Sequence, residues 1–159
     1  MLKRPEETEL RAIAELDGQL FSSSPWGEEA FIHTLQEGPE SCLVFYDTDG
    51  AGREGSCHEP AGYVLFCIME DAEIYRIGVR PELRRRGLGR RLLEAAEEVC
   101  REQGSRRLLL EVREDNIPAL SLYRAFGFEE IYRRKRYYKD PVSDAIMMEK
   151  DIGKEITDA

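Results

Sequence analysis

The chain has 159 residues, of which 42% are hydrophobic and 35% charged, and its formal net charge is −9. That length and core content predict one domain over residues 1–159. The longest apolar run, 63–69, falls far short of the roughly 20 residues of a spanning helix. No apolar segment follows the first basic residues, which argues against a secretory signal and for a cytoplasmic protein. An acidic body is a poor partner for nucleic acid.

In chain order, residues 6–20 predict a helix, with Leu10, Ile13, Ala14, Asp17 and Leu20 near one face and Thr8 as its cap. A Ser-rich break holding Pro25 follows, then a short helix over 27–36 stopped by Gly38 and Pro39. Strands are predicted over 41–46, 61–69 and 72–79. The first two are joined by a long polar loop, 47–60, and all three form an antiparallel meander. A helix over 87–103 ends at Gly104, a position suited to a left-handed cap. The near-continuous apolar run 107–113 reads as a strand covered on both faces, parallel to 72–79 through a right-handed crossover. Asn116 caps a helix over 119–126 that stops at Gly127, and strands over 128–134 and 144–149 close the chain. Cys42, Cys67 and Cys100 sit in apolar patterns and read as small buried hydrophobes. The Cys spacings, with Cys57-His58 in a polar loop, support no metal site.

The stretch 74–100 carries the most specific signal. A strand ending at Val79 leads through Arg84-Arg85-Arg86-Gly87-Leu88-Gly89-Arg90-Arg91 into a helix start. The first N–H groups of a helix lack intrahelical partners, and the macrodipole favours an anion there. Glycines admit that anion close to the backbone, so this loop is expected to grip a phosphate or pyrophosphate. A Walker loop is excluded because no Lys and no hydroxyl residue follow Gly89. A dinucleotide fingerprint is disfavoured because Leu92 stands where a third Gly or Ala belongs.

Arg84-x-x-Gly87-x-Gly89 after such a strand resembles the GCN5-related N-acetyltransferase (GNAT) superfamily. Glu111-Val112-Arg113-x-x-Asn116 and Tyr123-x-x-x-Gly127-Phe128 narrow the resemblance, as do Arg133-Arg134-x-x-Tyr137-Tyr138 and 144–148. Together with Pro25-Trp26 they resemble the bacterial ribosomal-protein-alanine N-acetyltransferases. The likeness is strong over 62–150 and weaker over 1–46. It implies an α/β (α+β) fold with a mixed central sheet of about six to seven strands and helices on both faces. It also implies acetyl coenzyme A as cosubstrate, no metal, and a protein N-terminus, that of a ribosomal protein, as acceptor, with no membrane partner. Coenzyme contacts are then expected from Ile77, Gly78 and Val79, from Arg84, Arg85, Arg86, Gly87, Leu88, Gly89 and Arg90, and from Asn116. Glu111 is expected as proton acceptor and Tyr123 as proton donor. The sequence departs from the family at Gly78, where Ala is more usual, at Pro118 and Arg84, and at Lys135-Arg136 on the acceptor side.

Elementary chemistry agrees with these residue types. An α-amino group titrates near 7.7–8.0, so a carboxylate, directly or through water, can serve as its proton acceptor. A tyrosine hydroxyl serves the departing thiolate, and a backbone N–H near Val79 serves the oxyanion. No Cys, Ser or metal is required, so direct transfer in a ternary complex is expected. Glu111 alone also reads as an ordinary strand carboxylate paired with Arg113, and Tyr123 alone as a core aromatic. Other readings of the chain are a lysine or small-amine acetyltransferase, a non-catalytic acyl-coenzyme-A-binding module and a nucleotide-binding protein.

Overall fold

The computed structural model describes residues 6–21, 33, 42–48, 60–68, 70–139 and 141–153. The helix expected over 27–36, the Pro25-Trp26 step, Cys57-His58 and most of the 47–60 loop lie outside the described residues. Helix α1 spans Glu7–Leu20, followed by strands β1 (Cys42–Thr48), β2 (Pro60–Ile68) and β3 (Ala72–Val79). A 3-10 turn over Pro81–Leu83 precedes α2 (Leu88–Glu102). Then come β4 (Arg107–Arg113), α3 (Ile117–Phe126), β5 (Glu129–Lys139) and β6 (Val142–Asp151). The described strands form one mixed sheet in the order β1-β2-β3-β4-β6-β5.

The meander and the crossover both form as the sequence indicates. β1, β2 and β3 pair antiparallel, and β3 lies parallel to β4. Alternation along β2 divides its residues between two cores. Val64 and Phe66 join Leu92, Leu93 and Ala96 of α2, Leu120 and Phe126 of α3, and Leu108, Leu110 and Val112 of β4. Tyr63 and Leu65 face the other way and meet Leu10, Ile13 and Leu16 of α1. Helices therefore cover both faces, which is the class expected.

The helix ends follow local chemistry. At the α1 start the cap is Glu6 rather than Thr8, because Thr8 already lies in the first turn; the Glu6 N–H donates to Glu9 Oε1 at 3.0 Å. Gly104 sits at φ +88, its N–H reaching Arg101 O and the Ser105 N–H reaching Cys100 O, which closes the carbonyl end of α2. Asn116 Oδ1 accepts from the Ala119 N–H at 3.3 Å, and Gly127 at φ +110 ends α3.

Two further expectations need correction. The final strands are longer than 128–134 and 144–149, since β5 and β6 continue to Lys139 and from Val142. Residues 133–139 carry no apolar alternation because β5 is exposed on both faces, so periodicity gave no strand signal there. An irregular register between Arg134 and Tyr138, with Arg136 at φ +54, further breaks the pattern. The second correction concerns Cys67, which is buried as expected but disulfide-bonded; Cys42 is its register partner on β1. Cys100 is a buried free thiol, pushed up to about 12 by burial and then by the nearby Glu97 charge.

β2 and β3 approach closely at Gly62. A Cβ there would lie 2.8 Å from the Gly78 carbonyl oxygen and 3.1 Å from Leu88 Cδ2. Backbone on one side and the α2 core on the other leave it nowhere to move. Gly62→Ala is expected to lower stability by about 1–3 kcal/mol, as overpacking does, read as a fall in the urea midpoint. An unchanged midpoint would contradict this packing.

Candidate active site

The centre of the sheet is parted. β3 pairs with β4 only over Ala72–Ile74, opposite Leu108, Leu109 and Leu110. On its other edge β3 stays bonded to β2 as far as Val79, and the Arg80 N–H continues the ladder to Ala61 O at 2.8 Å. The β4-facing backbone groups of residues 75–79 therefore lie outside the β3–β4 ladder, along a cleft between two strands. β3 also carries a bulge. Arg76 pairs with Leu65 and Ile74 with Phe66, so Tyr75 is the extra residue. The bulge exchanges the two faces of the strand. Ala72 and Ile74 before it, and Ile77 and Val79 after it, all pack on the α2 side. Gly78 lies on the α1 side, where a Cβ would stand 2.7 Å from Tyr63 Cε1 and 2.8 Å from Leu20 Cδ1. The departure from the more usual Ala at this position thus has a steric reason in this chain.

The basic loop caps the open end of the cleft. Arg85 and Gly87 both have positive φ, +68 and +77, and Gly87 is the cap of α2. Left-handed residues alternating with right-handed ones curl the backbone N–H groups inward, which suits an anion. The Gly87 Cβ position has nothing within 4 Å, so the backbone there is open to a ligand. A Cβ on Gly89 would meet Leu122 Cδ2 at 2.9 Å; glycine here lets α3 close on the first turn of α2. Arg84 folds back, its Nε donating to Val79 O at 3.2 Å, and ties the loop to the strand end. Arg85 and Arg86 are exposed. Arg90 instead runs along the helix, paired with Glu94 at 3.1 Å and lying 5.8 Å from the Phe126 ring centre. Asn116 serves as the α3 cap.

Glu111 and Tyr123 belong to opposite faces of the sheet. Glu111 is half-buried on β4, whose neighbours Leu110 and Val112 point into the α2–α3 core. Its partner is Tyr138, whose hydroxyl donates to Glu111 Oε1 at 3.0 Å. Arg113, the partner suggested by spacing, is engaged elsewhere. Its guanidinium bonds Asp115 at 3.1 Å and Pro141 O at 2.8 Å, and it lies 4.5 Å over the Tyr138 ring. Burial and the Glu111 charge hold the Tyr138 hydroxyl above its ordinary range. Tyr123 lies in the helix-side core, its ring edge-on to Phe128 at 5.8 Å, and burial raises its hydroxyl as well. The two side chains thus lie on opposite faces of the sheet, Tyr123 in the α2–α3 core and Glu111 on the other side.

Sequence reasoning gave no role to Tyr138 or Glu73. Tyr138 reaches Glu111 only because the β5–β6 hairpin is long, and nothing in the local pattern signals that. Glu73, on β3 opposite Leu109, shares a face with Glu111; burial and then the Glu111 charge raise its carboxyl. Among the described residues no group of three or more His, Cys, Asp or Glu side chains is placed to hold a metal ion, and no helix is long and apolar enough to cross a membrane.

Comparisons with known proteins place the chain in a family. The model of the acetyltransferase (GNAT) family matches residues 9–128. The Salmonella typhimurium [ribosomal protein bS18]-alanine N-acetyltransferase is 40% identical over 143 residues, covering 89% of this chain and 90% of its own. The Mycobacterium tuberculosis N-alpha-acetyltransferase RimI is 37% identical over 143 residues, covering 88% and 85%. The crystal structure of the Escherichia coli ribosomal-protein-S18-alanine N-acetyltransferase superposes with a TM-score of 0.81 at 29% identity, covering 100% of this chain and 97% of that one.

The raised Glu73 carboxyl has a consequence for stability. A carboxyl raised by folding binds its proton more tightly in the native state, so its ionised form opposes folding above the ordinary value of 4.5. Glu73→Gln removes that opposition. Its melting temperature is expected to exceed that of the parent at pH 7, with the difference vanishing below about pH 4 as Glu73 protonates. An equal or lower melting temperature at pH 7 would refute the repulsion.

Proposed function

From the premise that the chain belongs to the acetyltransferase (GNAT) family, we propose that it moves the acetyl group of acetyl coenzyme A to the α-amine of an N-terminal alanine on ribosomal protein bS18, in the cytoplasm. The observation that carries this reading is the parted β3–β4 pair with Glu111 on one face and Tyr123 on the other. A planar thioester fits a slot between two strands, and unladdered backbone groups offer it hydrogen bonds without disturbing the sheet.

Each residue then has a role that its chemistry supports. The curled backbone from Arg85 to Gly89 and the α2 N-terminus hold the pyrophosphate, with the Arg85 and Arg86 side chains adding charge. Ile77, Gly78 and Val79 run along the pantetheine and thioester, and an N–H of this segment stabilises the oxyanion. Arg84 braces the loop against Val79. Arg90 supports the helix start rather than the phosphate, and Asn116 fixes the first turn of α3, which carries Tyr123.

Glu111 accepts the ammonium proton of the incoming N-terminus, directly or through water. Tyr138 holds one of its carboxylate oxygens, leaving the other for the substrate. An α-amine near 7.7–8.0 is already partly neutral at pH 7, whereas a lysine near 10.4 is not. One half-exposed carboxylate therefore suits the α-amine. Tyr123, kept protonated by burial, donates to the departing thiolate. Its raised hydroxyl is a weak acid, but a thiolate forming in the same apolar surroundings is a stronger base than in water, which restores the match.

Incubation with acetyl coenzyme A and a peptide carrying the bS18 N-terminus is expected to yield α-acetylation in tandem mass spectrometry. Acetylation confined to lysine side chains or small amines would overturn the acceptor assignment. Glu111→Gln and Tyr123→Phe are each expected to lower kcat by about 10²–10⁴, the usual worth of a positioned acid or base, while coenzyme A still raises the melting temperature of both. Unchanged turnover in either variant would remove its assigned role.

A further inference from the structure

Two charged residues interrupt apolar runs in this chain, Asp17 in α1 and Arg76 in β3, and the structure brings them together. Arg76 Nη1 lies 2.9 Å and 3.1 Å from the two Asp17 carboxylate oxygens. The side chains are 9% and 3% exposed. The Tyr63 hydroxyl donates to Asp17 Oδ1, and the Phe21 ring lies 4.5 Å from the Arg76 guanidinium carbon. We propose that Asp17, Tyr63 and Arg76 are positioning residues for acetyl coenzyme A. By fixing the β3 bulge they set the register in which Ile77, Gly78 and Val79 face the cleft. The inference rests on the reading of residues 77–79 as the cofactor strand.

The geometry ties the cluster to the bulge. Strict alternation from Ala72 and Ile74 would place Arg76 and Gly78 toward α2, in the apolar core. The extra residue Tyr75 turns Arg76 to the opposite face, where Asp17 waits. A slip of one residue therefore strands a guanidinium among Leu88, Leu92 and Leu93 and leaves Asp17 buried without its cation. Asp17 has a second reason to require that partner. It lies in the last turn of α1, where the helix macrodipole repels an anion. Tyr63 links the pair directly to the cofactor strand, because its ring lies where a Gly78 side chain would begin. The hydroxyl that bonds Asp17 and the ring that abuts Gly78 belong to one rigid side chain. Burial, then the Asp17 charge, keeps that hydroxyl protonated and donating.

Stability alone is a poor explanation for the cluster. A buried ion pair replaced by apolar residues of similar volume commonly costs nothing or adds stability. What the ionic pair supplies and an apolar pair does not is discrimination between the two registers, since only one satisfies both charges. This distinction makes the role measurable.

The double variant Asp17→Leu/Arg76→Met removes both charges and keeps the volume. Its melting temperature is expected to equal or exceed the parent value, yet its Kd for coenzyme A by calorimetry rises about tenfold or more, as a displaced binding strand requires. The KM for acetyl coenzyme A rises in parallel and the KM for the acceptor peptide stays near the parent value. A double variant that binds coenzyme A with the parent Kd overturns the proposal. Should that variant not fold, Tyr63→Phe keeps the packing and the ion pair and removes one hydroxyl. It is expected to raise the Kd about threefold, with a melting temperature lowered only by the loss of one hydrogen bond to a charged group, and a parent Kd in Tyr63→Phe overturns the proposal equally. Arg76→Lys, which retains the charge, is expected to bind within about threefold of the parent. If the parent protein itself shows no heat on titration with coenzyme A, the acetyltransferase reading falls and this inference with it. Binding by the parent and undiminished binding by the variants defeats the inference alone.

Discussion

The structure depends on a sheet whose two central strands pair at one end and part at the other. Three residues of β3 meet three of β4, and beyond Ile74 the ladder between them stops. Buried backbone groups left outside a ladder need other partners. β3 meets this by staying paired to β2 on both sides of the Tyr75 bulge while opening only its far edge, and β4 by remaining paired to β6 along its whole length, Arg107 to Arg113. The strands on either side of the cleft are thus each anchored to an outer neighbour.

The bulge at Tyr75 decides which side chains border that opening. It turns Ile77 and Val79 onto the α2 side, where they are held by the core, and leaves Gly78 against Tyr63 on the other. The same shift carries Arg76 to Asp17, so one irregularity in one strand connects the first helix, the second strand and the cleft. The β5–β6 hairpin completes the other side. Arg113 bonds the hairpin turn at Pro141 O and stacks on Tyr138, and Tyr138 in turn holds Glu111. The carboxylate is therefore oriented by a residue 27 positions away in sequence.

The basic turn into α2 was readable because its chemistry is local. Arginines, two glycines and a helix start lie within a few residues, and Gly87 and Arg85 adopt the left-handed backbone that such a curl needs. The core faces of α2, β2 and β4 were readable because burial imposes periods of 3.6 and 2 on the residues. Asn116, Gly104 and Gly127 declared the helix ends, since caps are satisfied by immediate neighbours. By contrast, the length of β5 was hidden: a strand exposed on both faces has no reason to alternate. The Glu111 partner was misjudged for a related reason, as spacing offered Arg113 while the folded hairpin delivered Tyr138.

What the sequence determined by itself is whatever nearest neighbours and a one-sided core compel: the order of the described helices and strands, the crossover that makes β3 and β4 parallel, and the basic, glycine-bearing turn into α2. The tertiary structure alone decided where two strands stop pairing, which residue in β3 is the extra one, and which distant side chains meet Glu111 and Asp17. Those outcomes turn on contacts between residues 27 to 59 positions apart. A single-residue change of register exchanges the faces of a strand while leaving its composition the same, so no local pattern encodes it.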